Sequence, residues 1–375
     1  SSTIAFNPAG LTELDDMDVT AGTSLITTNY SYEGLDGTSE DSSQTLYVIP
    51  YGYASVKLLD NLYFGAGSNA PFGLESRWGS TSKFRYTGHY TELKTMSYNF
   101  SLGYRVNDSL SVGAGYTYMD ASEKQVGKFN IASIAGVAGL PDGDFELDVE
   151  GHGEGFNLGM LYNLTDTQTI GLSYRSQVNL KLEGTLSSDN LGAIAALFTG
   201  NPAVTSHVTS ADTDIRLPHT LGYSQKLNDK LNWALDLGWT GWSSYDETRI
   251  TFGQSNAVLA GFSQFSKDFD DTISVNTALD YALNDTVNVQ AGYFYYEQAA
   301  NPANYDNVIP DGDRHGFGLG FDRKFYKGKI QFMYIYEIVT SENVRSASGA
   351  GNGVNVSGEY SGDVHIWSMG YSGKF

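Results

Sequence analysis

Cysteine is absent from the 375 residues, which excludes a disulfide scaffold and any thiolate chemistry. Proline is scarce, at only 8 residues. No run of roughly 18 apolar residues occurs, and no transmembrane helix is expected. Cations are few: 22 Lys and Arg face 43 Asp and Glu, a net charge of -21. That balance argues against a nucleic-acid partner, whose phosphates need basic side chains. The start, "SSTIAFNPAGLTEL", has no initiator Met, basic n-region or apolar h-region, so no signal peptide is expected within this chain.

Against these absences stands one strong signal, alternation with a period of two. In "TMSYNFSLGYRVN", Met96, Tyr98, Phe100, Leu102, Tyr104 and Val106 point one way. Thr95, Ser97, Asn99, Ser101, Gly103 and Arg105 point the other. Such a segment is a strand with one apolar face and one small or polar face. A turn at "VND" leads into "SLSVGAGYTYMD", and the form recurs in "GFNLGMLYNL", "TIGLSYRSQVNLKLEG", "LNWALDLGWTGW", "TVNVQAGYFYY" and "IQFMYIYEIVT". Short turns rich in Asn, Asp, Gly and Lys alternate with long connections at 121–146, 187–212 and 299–313. Short turns on one rim and long loops on the other are the pattern of an outer-membrane barrel.

A soluble sandwich would also alternate, but runs of about a dozen residues exceed its usual strand length. Tyr and Trp gather near strand ends (Tyr98, Tyr104, Tyr116, Tyr118, Trp233, Trp239, Tyr293, Tyr295), as in the aromatic girdles of membrane interfaces. The opposite faces are small or polar, which suits a wet lumen. A mean hydropathy of -0.28 fits, because only alternate residues would meet lipid. The end, "HIWSMGYSGKF", sets Trp367, Met369, Tyr371 and Phe375 on one face. Closing a first strand near Met17 against this last one would leave no unpaired edge in hydrocarbon. The expected class is all-β: a transmembrane antiparallel β-barrel of about 14 strands, an even number as in single-chain bacterial barrels. The acidic stretches "DDMD", "EGLDGTSED", "PDGDFELD" and "KDFDD" read as solvated faces, with divalent-ion bridging as the sharper alternative.

Several segments resemble, in the same order, the FadL-type long-chain fatty-acid transporters of the Gram-negative outer membrane. They include "FNPAGLTEL", "VNDSLSVGAGYTYMDA", "GFNLGMLYNL", "IGLSYRSQV", "IRLPHTLGYSQKL", "WTGWSSYDE" and "IPDGDRHGFGLGF". The NPA and "PDxDR" segments together carry the specificity. The resemblance implies a small N-terminal hatch plugging the lumen, with residues 1–16 as its C-terminal part and 17–375 as the barrel. It also implies a kinked third strand that opens the wall, through which substrate leaves sideways into the membrane. Family members usually start further upstream of NPA, so residues expected to touch ligand in the lumen would precede Ser1. The implied partners are fatty acids or hydrocarbons, with outer-membrane lipid and lipopolysaccharide around a monomer.

Four groups of residues are candidates. Asn7, Pro8 and Ala9 form a broken segment among Ile4, Phe6, Leu11 and Leu14, which want burial. The group reads as a latch beside the strand-3 opening or as a space-filling plug. In "GSNAPFGLES" the alternation of Leu62, Phe64 and Ala66 stops, since Pro71 removes a ladder donor and Gly73 permits a kink. Ser68, Asn69, Ala70, Pro71, Phe72 and Gly73 would line a lateral opening, unless the strand has simply ended. The apolar runs "FNIASIAGVAGL" and "NLGAIAALFTGNPAV" suit a water-facing loop only if they cover something. Phe129, Ile131, Ile134, Leu140, Leu191, Ile194, Leu197 and Phe198 would form the family's outer hydrophobic groove, or a cap. Parity puts Arg175, Arg216 and Arg314 inside, with Asp236, Asp280 and Glu337. Arg314 could meet a fatty-acid carboxylate; the bland reading is a network of paired charges.

No catalytic constellation emerges. The six His are scattered without metal-ligand spacing, and no GxSxG or Gly-rich phosphate loop is present. No metal or cofactor is expected. The leading expectation is a passive transporter for hydrophobic molecules. The alternatives are a water-filled diffusion porin and, less favoured, a lipase-type enzyme of the outer membrane.

Overall fold

The computed structural model describes residues 3–189, 204–245, 247–253, 264–308, 310–346 and 354–375. Fourteen antiparallel wall strands form one closed sheet. They are β1 (Met17–Gly34), β2 (Thr45–Leu59), β3 (Leu62–Asn69, resumed at Gly73–Arg77), β4 (Tyr90–Arg105) and β5 (Leu110–Phe129). Next come β6 (Gly143–Thr165), β7 (Gln168–Arg175 and Val178–Asp189), β8 (Val204–Ile215 and His219–Lys226) and β9 (Leu231–Thr240 and Glu247–Phe252). The wall ends with β10 (Gln264–Ser266 and Thr272–Asn284), β11 (Val287–Tyr296), β12 (Asp313–Phe325), β13 (Gly328–Val344) and β14 (Gly358–Lys374). β1 closes on β14 from Asp18 opposite Lys374 to Gly34 opposite Gly358. Tight turns such as 106–109, 166–167 and 326–327 share the lower rim, and the long connections share the upper one.

The lower half follows the expected parity. Phe100, Leu102 and Tyr104 of β4 are exposed outward, while Asn99 and Ser101 are buried within. The upper half inverts it. On β6, Phe156 and Leu158 face out, yet Phe145, Leu147 and Val149 are buried inside and Asp148 and Glu150 are exposed. Apolar residues therefore sit at even positions below and odd positions above, along one uninterrupted strand. β5 does the same, with Tyr116 outside and Met119, Ala121 and Phe129 buried. On its outer face Lys124 pairs with Glu146 at 2.7 Å and Lys128 with Asp144 at 2.9 Å.

A strand shows its apolar face to whichever side is drier. Below "GHGEG" (151–155) that side is lipid; above, it is the interior, because the exterior has become water. The wall thus continues past the membrane. Residues 121–129, 143–146, 187–189 and 204–212, expected in long loops, are strand. Small or polar inward positions hold only for the lower half. Above, Phe145, Leu147, Leu180, Leu182, Val208 and Ile250 join one apolar cluster, against which Phe72, Leu140 and Phe252 pack. Each such burial contributes roughly 1.5–3 kcal/mol.

This boundary gives a paired prediction. Leu158→Arg should destabilise the folded barrel in vesicles by roughly 2–4 kcal/mol. Glu150→Arg, on the same outward face but above the boundary, should cost less than about 1 kcal/mol. Urea unfolding of both variants measures the difference, and equal costs would place Glu150 in lipid.

Candidate functional site

Residues 3–16 lie inside the lower barrel. A helical turn, Thr3–Phe6, precedes a 3-10 turn, Pro8–Glu13. Asn7 caps the second turn, its Oδ1 accepting from Ala9 N at 3.1 Å, and Pro8 takes a first position where no donor is missed. Ile4 and Leu11 are fully buried and pack with Tyr53 and Tyr63. The wall makes room with inward glycines. A Cβ at Gly103 would stand 2.9 Å from Leu11 Cβ, and one at Gly113 or Gly159 would strike Pro8, Ala9 or Asn7. Asn7 Nδ2 donates to Met160 O and Leu172 O, both at 3.2 Å. Thr12 Oγ1 donates to Ser111 Oγ at 2.8 Å, and Arg105 donates to Thr12 O. Asn7, Pro8 and Ala9 thus rest on β4 to β7. Phe6, beside them, projects into the space above with Arg175 over its ring at 5.2 Å.

The third strand is interrupted. Its ladder with β2 runs from Leu59 opposite Leu62 to Gly52 opposite Ser68 and stops there. β4 pairs with both parts of β3, with a gap between Ser97 and Lys94. Thr45–Tyr51 of β2 consequently have no ladder partner on the β3 side among the described residues. Above the gap, Ser43 N donates to Arg77 O at 2.7 Å. Phe72 is held by Thr95, whose Oγ1 accepts from Phe72 N at 3.1 Å and donates to Phe72 O at 2.6 Å. The Phe72 ring meets Trp242 at 6.1 Å, Trp242 meets Phe269 at 6.2 Å, and Phe269 meets Tyr245 at 5.1 Å. These rings form an aromatic bridge from the β3 break to the breaks in β9 and β10.

One cavity of about 2600 Å³ links these features. Phe6 lines it below, Phe72 and Trp242 at mid-height, and Phe145, Leu147 and Ile250 above. It is also lined by five consecutive residues of β2, Leu46 to Pro50, although neighbours on a strand face opposite sides. Leu46 and Val48 are the outward pair, 62% and 63% exposed.

Charges divide into paired and unpaired. Arg314 Nη1 lies 3.0 Å from Glu337 and Nη2 3.6 Å from Asp311. Asp280 accepts from Gln290 at 2.9 Å. Lys267, buried between the two parts of β10, lies 2.8 Å from Asp306. Burial alone would lower its pKa, but the Asp306 carboxylate outweighs burial and raises it. Arg175 and Arg216 line the cavity with no ion pair among the described residues. Of the apolar loop candidates, Phe129 and Ile131 are buried in the upper cluster, Leu140 packs on it, and Ile134 lies in the helical turn Ile131–Ala135. Leu191, Ile194, Leu197 and Phe198 lie outside the described residues.

The profile of the family described as outer membrane protein transport protein (OMPP1/FadL/TodX) matches residues 1–375. The chain belongs to this family. A long-chain fatty acid transport protein of Salmonella typhi is 26% identical to it, covering 86% of this chain and 78% of the relative. A Pseudomonas aeruginosa FadL homologue superposes with a TM-score of 0.85 at 21% identity, covering 100% of this chain and 94% of that one. The Pseudomonas putida toluene transporter TodX gives 0.77 at 19% identity, with 100% and 94% covered. FadL/TodX proteins are outer-membrane transporters, so this barrel is an outer-membrane transport protein and not an enzyme.

Sequence reasoning missed the upper chamber of this FadL/TodX-family barrel. The signal was present in "FELDVEGHGEGFNLGMLY", where the apolar positions change parity across the glycines. The aromatic bridge left no signal, because Phe72 and Trp242 meet only through tertiary structure. A glycine test follows. Gly113→Val should expel the N-terminal segment, since backbone atoms of Pro8 and Ala9 occupy the Cβ position. Limited proteolysis should then cut within residues 3–16 in the variant and spare the wild type. Equal protection would mean that the wall tolerates the side chain.

Proposed function

We propose that this chain is a passive conduit for apolar molecules, which enter the upper chamber and leave sideways into the membrane between β2 and β3. One observation carries the reading: the β2–β3 ladder stops at Gly52 opposite Ser68, and Leu46 to Pro50, beyond that stop, border the lumen cavity. Residues 1–16 act as a hatch that bars the route downward, with Asn7, Pro8 and Ala9 seated on β4 to β7. Asn69 to Gly73 border the port, next to the ladder end at Ser68, and Phe129, Ile131 and Leu140 supply one bank of a landing groove. The relatives named for long-chain fatty acids and for toluene support a hydrophobic substrate class. An acyl chain needs no strong polar anchor in such a chamber, because each buried methylene contributes roughly 0.8 kcal/mol. Release into lipid keeps that gain, whereas release into water would forfeit it.

Val48→Glu places a carboxylate at the lipid side of the port. Uptake of labelled hexadecanoate by cells relying on this barrel should fall roughly tenfold, about 1.4 kcal/mol, since an apolar chain leaving for lipid would have to pass a carboxylate. Outer-membrane assembly, read from heat-modifiable gel migration, should persist. Unchanged uptake would exclude this port, and steady ion conductance by the wild type in planar bilayers would favour the diffusion porin.

A further inference from the structure

The wall has a second irregular level, at β7 to β10. β7 breaks after Arg175, β8 after Ile215, β9 after Thr240 and β10 after Ser266. Between β8 and β9 the ladder stops at His219 opposite Trp239 and resumes only at Asp212 opposite Arg249. A cavity of about 200 Å³ occupies this seam, lined by Arg175, Arg216, His219, Trp239, Ser243 and Asp271 among others. Arg175 and Arg216 border the lumen cavity as well. Trp239 is on the lipid side, stacked on His219 at 5.3 Å, and His219 is stacked on outward Tyr174 at 4.7 Å. The seam therefore spans the wall at the upper aromatic belt.

Its chemistry is one-sided. Arg175 Nε, Arg216 Nε and His219 Nδ1 are buried and make no hydrogen bond. Neither guanidinium has an ion pair among the described residues; that of Arg175 lies over the Phe6 ring at 5.2 Å. One carboxylate shares the lining, Asp271, which is exposed and accepts from Ser243 N at 2.8 Å. Two guanidiniums against one carboxylate leave the seam positive. A buried donor without an acceptor is costly, and a guanidinium fork matches the geometry of an oxyanion. With its proton on Nδ1, His219 is a third donor, held in place by its two flanking rings. The volume suits a head group and not a whole chain.

We propose that the seam binds one oxyanion head group, a carboxylate or phosphate, between Arg175, Arg216 and His219. The head group belongs to an amphiphile whose tail lies along the wall, either a long-chain acid or a leaflet lipid. The site stands independently of the transport reading.

Purified protein in non-ionic detergent is titrated calorimetrically with hexadecanoate and with methyl hexadecanoate. Lipid retained through purification is identified by mass spectrometry. Both measurements are made on the wild type, R175Q, R216Q and R175Q/R216Q. The acid should bind at least about tenfold more tightly than the ester, or the wild type should retain a phosphate-bearing lipid. Either preference should weaken in each single variant and vanish in the double one. The first result names a long-chain acid as occupant, the second a leaflet lipid. Equal affinities for acid and ester, with the same lipid retained by wild type and double variant, would overturn the site. Absence of binding to both acid and ester would count against the transport reading, while lipid retention still decides the seam. Should the double variant fail to assemble, the two single variants carry the same comparison.

Discussion

Hydrocarbon offers no partner for an unpaired amide, and the barrel depends on that constraint. It fixes the closure of β1 on β14 and confines irregular backbone to places where something else supplies the bonds. At the β3 break, Thr95 serves both the N–H and the C=O of Phe72. At the β7 break, Ser176 N donates to Phe156 O at 2.9 Å and Ser176 Oγ accepts from Phe156 N at 2.8 Å. Side chains thus take over part of the lost ladder, and each cut becomes a place where the wall changes shape.

The same logic governs the interior. A segment with Asn-Pro cannot join a ladder, so it must be buried by side chains and by a wall that yields space. Gly103, Gly113 and Gly159 yield it, letting backbone approach backbone, while Asn7 reaches the carbonyls of Met160 and Leu172. Further up, the interior changes from polar to apolar, and the wall's contribution changes from hydrogen bonding to burial. The two regimes meet near the aromatic bridge, where Phe72 and Trp242 touch.

The architecture was legible in the sequence because alternation, terminal aromatics and short turns are local. Pro71 and Gly73 announced the β3 interruption for the same reason. The upper chamber was misread as loop because a strand in water and a surface loop carry similar acidic residues. Only a change of parity separates them, between Val149 and Phe156 on β6. Parity also put three arginines inside but could not assign their partners. Arg314 finds Glu337 from the adjacent strand, whereas Arg175 and Arg216 come together only because β7 and β8 break at one level.

β5 and β6 continue roughly ten residues beyond their last outward aromatics. At ~3.3 Å per residue and a typical tilt, this lifts the mouth ~25 Å above the lipid surface. A sparingly soluble molecule would then be captured in bulk water, clear of the slow, hydrated layer that coats the bilayer. Its flux would be governed by encounter with the raised rim and would depend little on permeation through that coat.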